Sequence, residues 1–267
     1  MSLLLVFACA TPEPEKIYHQ GEEAWYKGQY SLAMGNFERL VELYPEHDLA
    51  DDAMMWLGDI QYLFMSRYDE AIMYYRELVN TYPESDRRIE ARMKMAGIYR
   101  GKKNDCKMAV IEYEKVILED VPLETAAKAQ YQIAMCHFQG SDMRQAITEF
   151  EILVSDYPES EFADDALYGL ASSYYAQRRC PEAVSLYQRV ADTSSDTNLV
   201  LDSRFGIGAC HEETGRLHEA LDIMKELLDE HPNRRMVEHR LKRIESRIKK
   251  LGEKRITVPG ERPAEGG

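Results

Sequence analysis

The sequence has 267 residues, 45% of them apolar, and sets 47 acidic against 33 basic side chains for a net charge of −14. A chain of this size can bury a substantial core without relying on disulfides or metals, and its negative charge disfavours a duplex nucleic acid partner, which needs a basic footprint. The charge is uneven: residues 233–251 hold eight Lys or Arg against Glu238 and Glu245, a net of +6, which leaves about −20 on residues 1–232. No run approaches the roughly 18 apolar residues that a membrane-spanning helix requires.

At the N-terminus Leu3-Leu4-Leu5-Val6-Phe7-Ala8 is a short apolar run ending at Cys9, followed by the polar, proline-bearing stretch from Ala10 to Glu15. Val6, Ala8 and Cys9 resemble the lipobox of a bacterial lipoprotein signal, which implies lipidation at Cys9. Phe7 fills a place usually held by a small residue, and no basic segment precedes the apolar run; a start upstream of Met1 would supply one. The alternative is a hydrophobic N-terminal stretch on a cytosolic protein.

From about residue 14 a period of 37 to 38 residues organises the chain. Its anchor is an alanine followed four residues later by a large apolar residue: Ala33 and Phe37, Ala71 and Tyr75, Ala109 and Tyr113, Ala146 and Phe150, Ala183 and Tyr187, Ala220 and Met224. Twelve residues after the alanine stands Pro45, Pro83, Pro158 or Pro232, with Pro122 one place late and Ser195 replacing the proline of the fifth unit. Twelve before it stands a small residue: Gly21, Gly97, Ala134, Ala171 and Gly208, with Gly58 displaced by one. Each unit reads as two amphipathic helices, the small residues permitting close approach and the proline stopping the second helix. Ser85 and Ser160, in the two Tyr-Pro-Glu-Ser stretches, are placed to cap the helix that follows. The units run about 14–45, 49–83, 86–122, 123–158, 160–195 and 196–232, with residues 1–13 as signal remnant and tether.

These positions resemble the tetratricopeptide repeat, which implies an all-α, right-handed solenoid of six helix pairs whose first helices line a ligand groove. The spacers and the start resemble the BamD type of outer-membrane repeat lipoprotein. The regularity departs from it, and the coiled coil of the CpoB (YbgF) type is absent. Carried onto this sequence, the groove comprises Tyr18, Glu22, Trp25, Asp52, Asp59, Tyr62, Tyr131, Phe138, Asp165, Tyr168, Tyr175, Asp202, Phe205 and Glu212. Such an aromatic, acidic surface selects an extended or helical segment bearing Lys or Arg. The alternative for any one ring is packing inside its own repeat.

After Pro232, Val237, Leu241, Ile244, Ile248 and Leu251 form a narrow apolar stripe on a basic helix, 233–251, which closes the last repeat. Its outer face could also dock an acidic partner, an anionic lipid surface or a second copy. Residues 252–267 lack periodicity and read as a disordered tail.

Catalytic signals are poor. Gly206-Ile207-Gly208 is a Gly-x-Gly inside a helix, and no Gly-x-Ser-x-Gly, His-Glu-x-x-His or Cys-x-x-Cys-His occurs. The reading is a non-enzyme without cofactor or metal. Cys106 and Cys180 lie three residues before their anchors, and Cys136 and Cys210 ten before theirs, so one relation occurs twice. In stacked antiparallel helices it brings the members of each pair together, predicting disulfides Cys106–Cys136 and Cys180–Cys210. The rivals are buried reduced cysteines standing in for alanine, or zinc held with His137 and its later equivalent His211. Together these features predict a BamD-like protein-binding lipoprotein facing the periplasm from the outer membrane. The alternatives are a soluble CpoB-like partner of the Tol-Pal system and a cytosolic adaptor.

Overall fold

The computed structural model describes residues 13–256, with side chains through Leu251. The calls on Cys9 and on the tail beyond Ile256 lie outside those residues. The described elements are thirteen α-helices: α1 (Glu13–Tyr26), α2 (Tyr30–Leu43), α3 (Ala50–Leu63), α4 (Tyr68–Thr81), α5 (Arg88–Gly101), α6 (Cys106–Ile117), α7 (Leu123–Gln139), α8 (Met143–Asp156), α9 (Ala163–Ala176), α10 (Cys180–Thr193), α11 (Thr197–Glu213), α12 (Leu217–Glu230) and α13 (Arg234–Ile256). The chain divides into two compact units, 1–121 and 122–267, at the repeat whose proline comes late. In the first, α1/α2, α3/α4 and α5/α6 pair, and α2 packs on α3 and α4 on α5. In the second, α7/α8, α9/α10 and α11/α12 pair, each second helix packs on the next first helix, and α12 packs on α13. The last helix continues past Leu251 into the stretch that lack of periodicity had assigned to the tail.

The six anchor alanines are fully buried, and the large residues four places on are at most 3% exposed. Such rings enter the core because the facing helix gives up its side chain. An added Cβ at Gly21 would lie 2.7 Å from Phe37, at Gly58 2.4 Å from Tyr75, at Gly169 2.4 Å from Phe150 and at Gly206 2.6 Å from Tyr187. At Gly97 it would meet nothing within 4 Å.

Both ends of each second helix follow the register. Its entry turn holds one residue in the left-handed region: Gly28, Ser66, Asn104, Ser141, Arg178 and Gly215, each five residues before an anchor alanine. Only two are glycine, so the other four accept the steric cost of a Cβ at positive φ. At the exit, α2, α4, α8 and α12 stop two residues before their prolines. The expected serine caps are corrected. The Ser85 hydroxyl donates to Asp51 at 2.5 Å and accepts from the Arg87 amide at 3.0 Å, ahead of α5, while the buried Ser160 hydroxyl has no partner among the described residues. A short turn after the proline sets both serines back from the helix start. Side-chain caps come instead from Asp105, Asp142 and Asp196, on α6, α8 and α11.

These notches divide the glycines into two classes with opposite responses. Gly58→Ala should destabilise by roughly 1–3 kcal/mol through overpacking against Tyr75, whereas Gly97→Ala should stabilise by up to about 1 kcal/mol from helix propensity alone. Urea unfolding of the two variants reads the difference directly.

Candidate interaction surface

In the first unit the face of α1, α3 and α5 carries six of the expected residues. Tyr18 is half-buried: its ring meets Phe37 edge-on at 5.6 Å, and its hydroxyl accepts from Trp56 Nε1 at 2.9 Å. Trp25 stands 4.8 Å from Trp56 and 6.2 Å from Phe64, with its buried indole N–H unpartnered among the described residues. Tyr62 lies 6.2 Å from Tyr68. Glu22 accepts from His19 Nδ1 at 2.9 Å.

The two aspartates of this face are not free. Asp52 accepts from Arg87 Nε at 2.6 Å, and Asp59 takes Lys94 Nζ at 2.6 and 2.8 Å together with the Tyr75 hydroxyl at 2.5 Å. Burial, then the Asp59 charge, pushes the Tyr75 phenol far up, which fixes it as a donor. Each cation stands 35 residues after its acid, Arg87 at the N-cap of α5 and Lys94 within it.

In the second unit Tyr131 and Phe138 pack against the cluster of Phe150, Leu153 and Leu170, with Tyr131 stacked on Phe162 at 5.5 Å. Both rings pack inward, against their own repeat and against Phe162 and Leu170 of the next. Tyr175 is partly buried beside Ala171 and Cys210. Tyr168 lies 5.6 Å from Tyr187, and its phenol is raised by burial and then by the Asp202 charge. Asp202 accepts from His231 Nε2 at 3.0 Å; because His231 Nδ1 accepts from the Asn233 amide, also at 3.0 Å, the Nε2 proton is assigned.

Glu212, expected in the open groove, is only 1% exposed. It is held by Arg243 Nε at 2.7 Å, Arg247 Nη1 at 3.1 Å and Arg240 Nη1 at 3.3 Å, all from α13. Burial pushes its carboxyl up, but the Arg243 and Arg247 hydrogen bonds pull it further down, leaving it below the ordinary range. Its folded value being lowered, the stabilisation is full above the usual glutamate range and is lost as pH falls through the lowered value.

Asp165 is the exception. It is exposed, it has no ion pair among the described residues, and partial burial followed by repulsion from Asp196 and Asp164 raises its carboxyl. The expectation of a uniformly acidic groove is therefore corrected. Asp52, Asp59, Asp202 and Glu212 are engaged within the chain, and Asp165 alone offers an uncompensated charge beside Tyr168. Sequence reasoning missed Arg87, Lys94 and Arg247, although their constant 35-residue offset was there to be read.

The two cysteine pairs part company. Cys106 and Cys136 are each disulfide-bonded. Cys180 and Cys210 are buried free thiols, which corrects the second bridge. They sit in an apolar cluster with Ala171, Ala183 and Tyr187; burial, then the hydrogen bond with Cys180, pushes the Cys210 thiol up, which disfavours its thiolate. His137 and His211 are half-buried, His211 lowered by burial and then by Arg216. Among the described residues no group of His, Cys, Asp or Glu could hold a metal, and no helix is long and apolar enough to cross a membrane.

Comparison with known proteins gives a consistent result. Residues 52–85, 128–160 and 162–230 match the tetratricopeptide repeat. No curated protein matches the sequence. Among solved structures, the C-terminal part of a repeat-containing protein from Cytophaga hutchinsonii is similar with a TM-score of 0.66 at 14% identity, over 84% of this chain and 86% of that one. YrrB, described as having an unusual peptide-binding site, gives 0.58 at 14% identity over 77% and 97%. PilW, a type IV pilus biogenesis factor, gives 0.54 at 14% over 87% and 100%. At such identities the likeness shows the fold alone.

The two kinds of acid have opposite energetic signs. Asp59→Asn should cost about 2 kcal/mol, because Lys94 and the buried Tyr75 hydroxyl both lose a charged acceptor. Asp165→Asn should stabilise by roughly 0.5 kcal/mol, small because solvent screens the exposed group. Urea unfolding at neutral pH measures both.

Proposed function

The chain belongs to the tetratricopeptide repeat family, and on that premise we propose that the α9/α11 face of the second unit binds a basic segment of a protein partner, in a BamD-like outer-membrane lipoprotein that faces the periplasm and acts in outer-membrane protein assembly. That the chain is a repeat scaffold for protein–protein interaction follows from the family.

The observation that carries the finer reading is Asp165. A carboxylate left exposed, repelled by Asp164 and Asp196, and set on the same helix as Tyr168 is stabilised by an incoming Lys or Arg, since no base among the described residues pairs with it. Tyr168 and Tyr175 supply rigid apolar surface around that charge, the combination that gives a binding face both area and selectivity. The peptide-binding site described for YrrB gives a precedent for a peptide ligand on this fold. The envelope location draws support from the Val6-Phe7-Ala8-Cys9 stretch and from the oxidised state of Cys106 and Cys136, which suits an oxidising compartment.

A photo-crosslinking residue in place of Tyr168 is expected to capture a protein that the same residue at exposed Gln188, on α10, does not. Adding Asp165→Asn should lower the yield about fivefold, the worth of one partly screened ion pair. Equal capture from both positions, indifferent to Asp165, sinks the reading. Separately, labelled palmitate should be incorporated by the chain expressed with its native leader and not by Cys9→Ser; equal labelling, or none in either, removes the anchor.

A further inference from the structure

The last helix is held in two unequal halves. Val237 and Ile244 are fully buried among Leu201, Leu217, Met224 and Leu227. Beyond Ile244 the apolar contact thins: Ile248 is only partly buried and Leu251 is 54% exposed. Charge holds the helix around this point: Arg240 and Arg243 stand just before Ile244, and Arg247 just after it. Arg243 and Arg247 bind the Glu212 carboxylate, Arg247 also donates to the Glu212 carbonyl at 3.1 Å, and the Arg240 guanidinium, just before Ile244, lies 4.8 Å over the Phe205 ring. Three cations thus meet one anion, and the Arg243 and Arg247 side chains stay 46% and 43% exposed. The residues they touch, Phe205 and Glu212, belong to the first-helix face that the repeat assigns to ligands, and Tyr175 on the same face feels the charge of Arg243.

We propose that the stretch of α13 from Arg240 onward is an exchangeable occupant of this face, a stand-in for a partner helix that carries three arginines on one side, the second and third lying three and seven residues after the first. The inference rests on the reading of α9 and α11 as the partner-binding face. Its physical basis is that a desolvated ion pair is close to break-even as a whole while the loss of one member is costly, so Glu212 must always have a guanidinium but accepts it from either helix. A partner binding the undocked state then competes with α13 by differential affinity alone.

The test uses the full chain and a fluorescein-labelled peptide of residues 233–251. In anisotropy titrations the Arg243→Ala/Arg247→Ala variant, which loosens the intramolecular clasp and leaves Phe205 and Glu212 in place, should bind the peptide about tenfold or more tightly than the wild type, and further addition of Glu212→Gln should abolish binding. Equal affinities for the wild type and a folded variant overturn the proposal. Hydrogen exchange on the wild type decides independently of how the variant folds: amides from Glu245 to Leu251 should exchange about tenfold or more faster than those of α11, and exchange in step with α11 overturns it. Because the peptide is a defined probe, peptide binding without partner capture at Tyr168 removes the partner assignment and leaves the exchange, while capture without peptide binding does the reverse.

Discussion

The spacing of these helices is set by one close approach. Four of the rings that follow an anchor alanine by four residues are buried against a facing helix that carries no side chain there, and Gly21, Gly58, Gly169 and Gly206 supply that gap at distances no Cβ could share. The glycine's own helix provides the notch for Phe37 and Tyr75 within a repeat, while Phe150 and Tyr187 are met by the first helix of the next repeat. Either way the ring dictates how near two helices lie, and dense packing makes that separation stiff. The turn with one left-handed residue and the proline two places past the second helix then fix the length of each unit.

Fixed spacing between first helices has an electrostatic consequence. Side chains one repeat apart, less about one helical turn, come within reach of each other, and Asp52 with Arg87, Asp59 with Lys94, and Glu212 with Arg247 use that reach at the same 35-residue offset. An acidic residue on the binding face is therefore already a ligand for its own neighbour unless the next first helix lacks a cation. Thirty-five residues after Asp165 stands Val200, which carries no cation, and Asp165 is left without an ion pair among the described residues. On the proposed reading, binding selectivity in the second unit follows from a missing internal base more than from the number of acids.

The regular parts of the fold were legible because they repeat. Alanine anchors, rings, small residues and prolines recur at fixed offsets, and each recurrence has a steric meaning that survives without coordinates. The groove was legible only as a set of positions on one face of each first helix. Which of those side chains are free depends on the neighbouring helix, and a reading that stays within one repeat cannot see Arg87 beside Asp52 or Arg243 beside Glu212. Tyr131 and Phe138 turn inward for a related reason: Phe150 of their own repeat and Leu170 of the next stand there as neighbours. The serine caps failed at the scale of a single turn, since Tyr-Pro-Glu-Ser announces the end of one helix more reliably than the start of the next.

The cysteines mark the limit of register as an argument. Two pairs with the same separation and the same positions in their repeats differ in covalent state: Cys106 and Cys136 are bonded, whereas Cys180 and Cys210 remain thiols. Register places two backbones near each other, but a bond requires that oxidation lower the free energy of both sulfurs against whatever else satisfies them. In the second pair a mutual hydrogen bond inside an apolar cluster already does so, and the raised Cys210 thiol suppresses the thiolate through which exchange must pass. The same logic governs Glu212. Its position in the repeat says where it lies, and only the arginines that reach it say what it does.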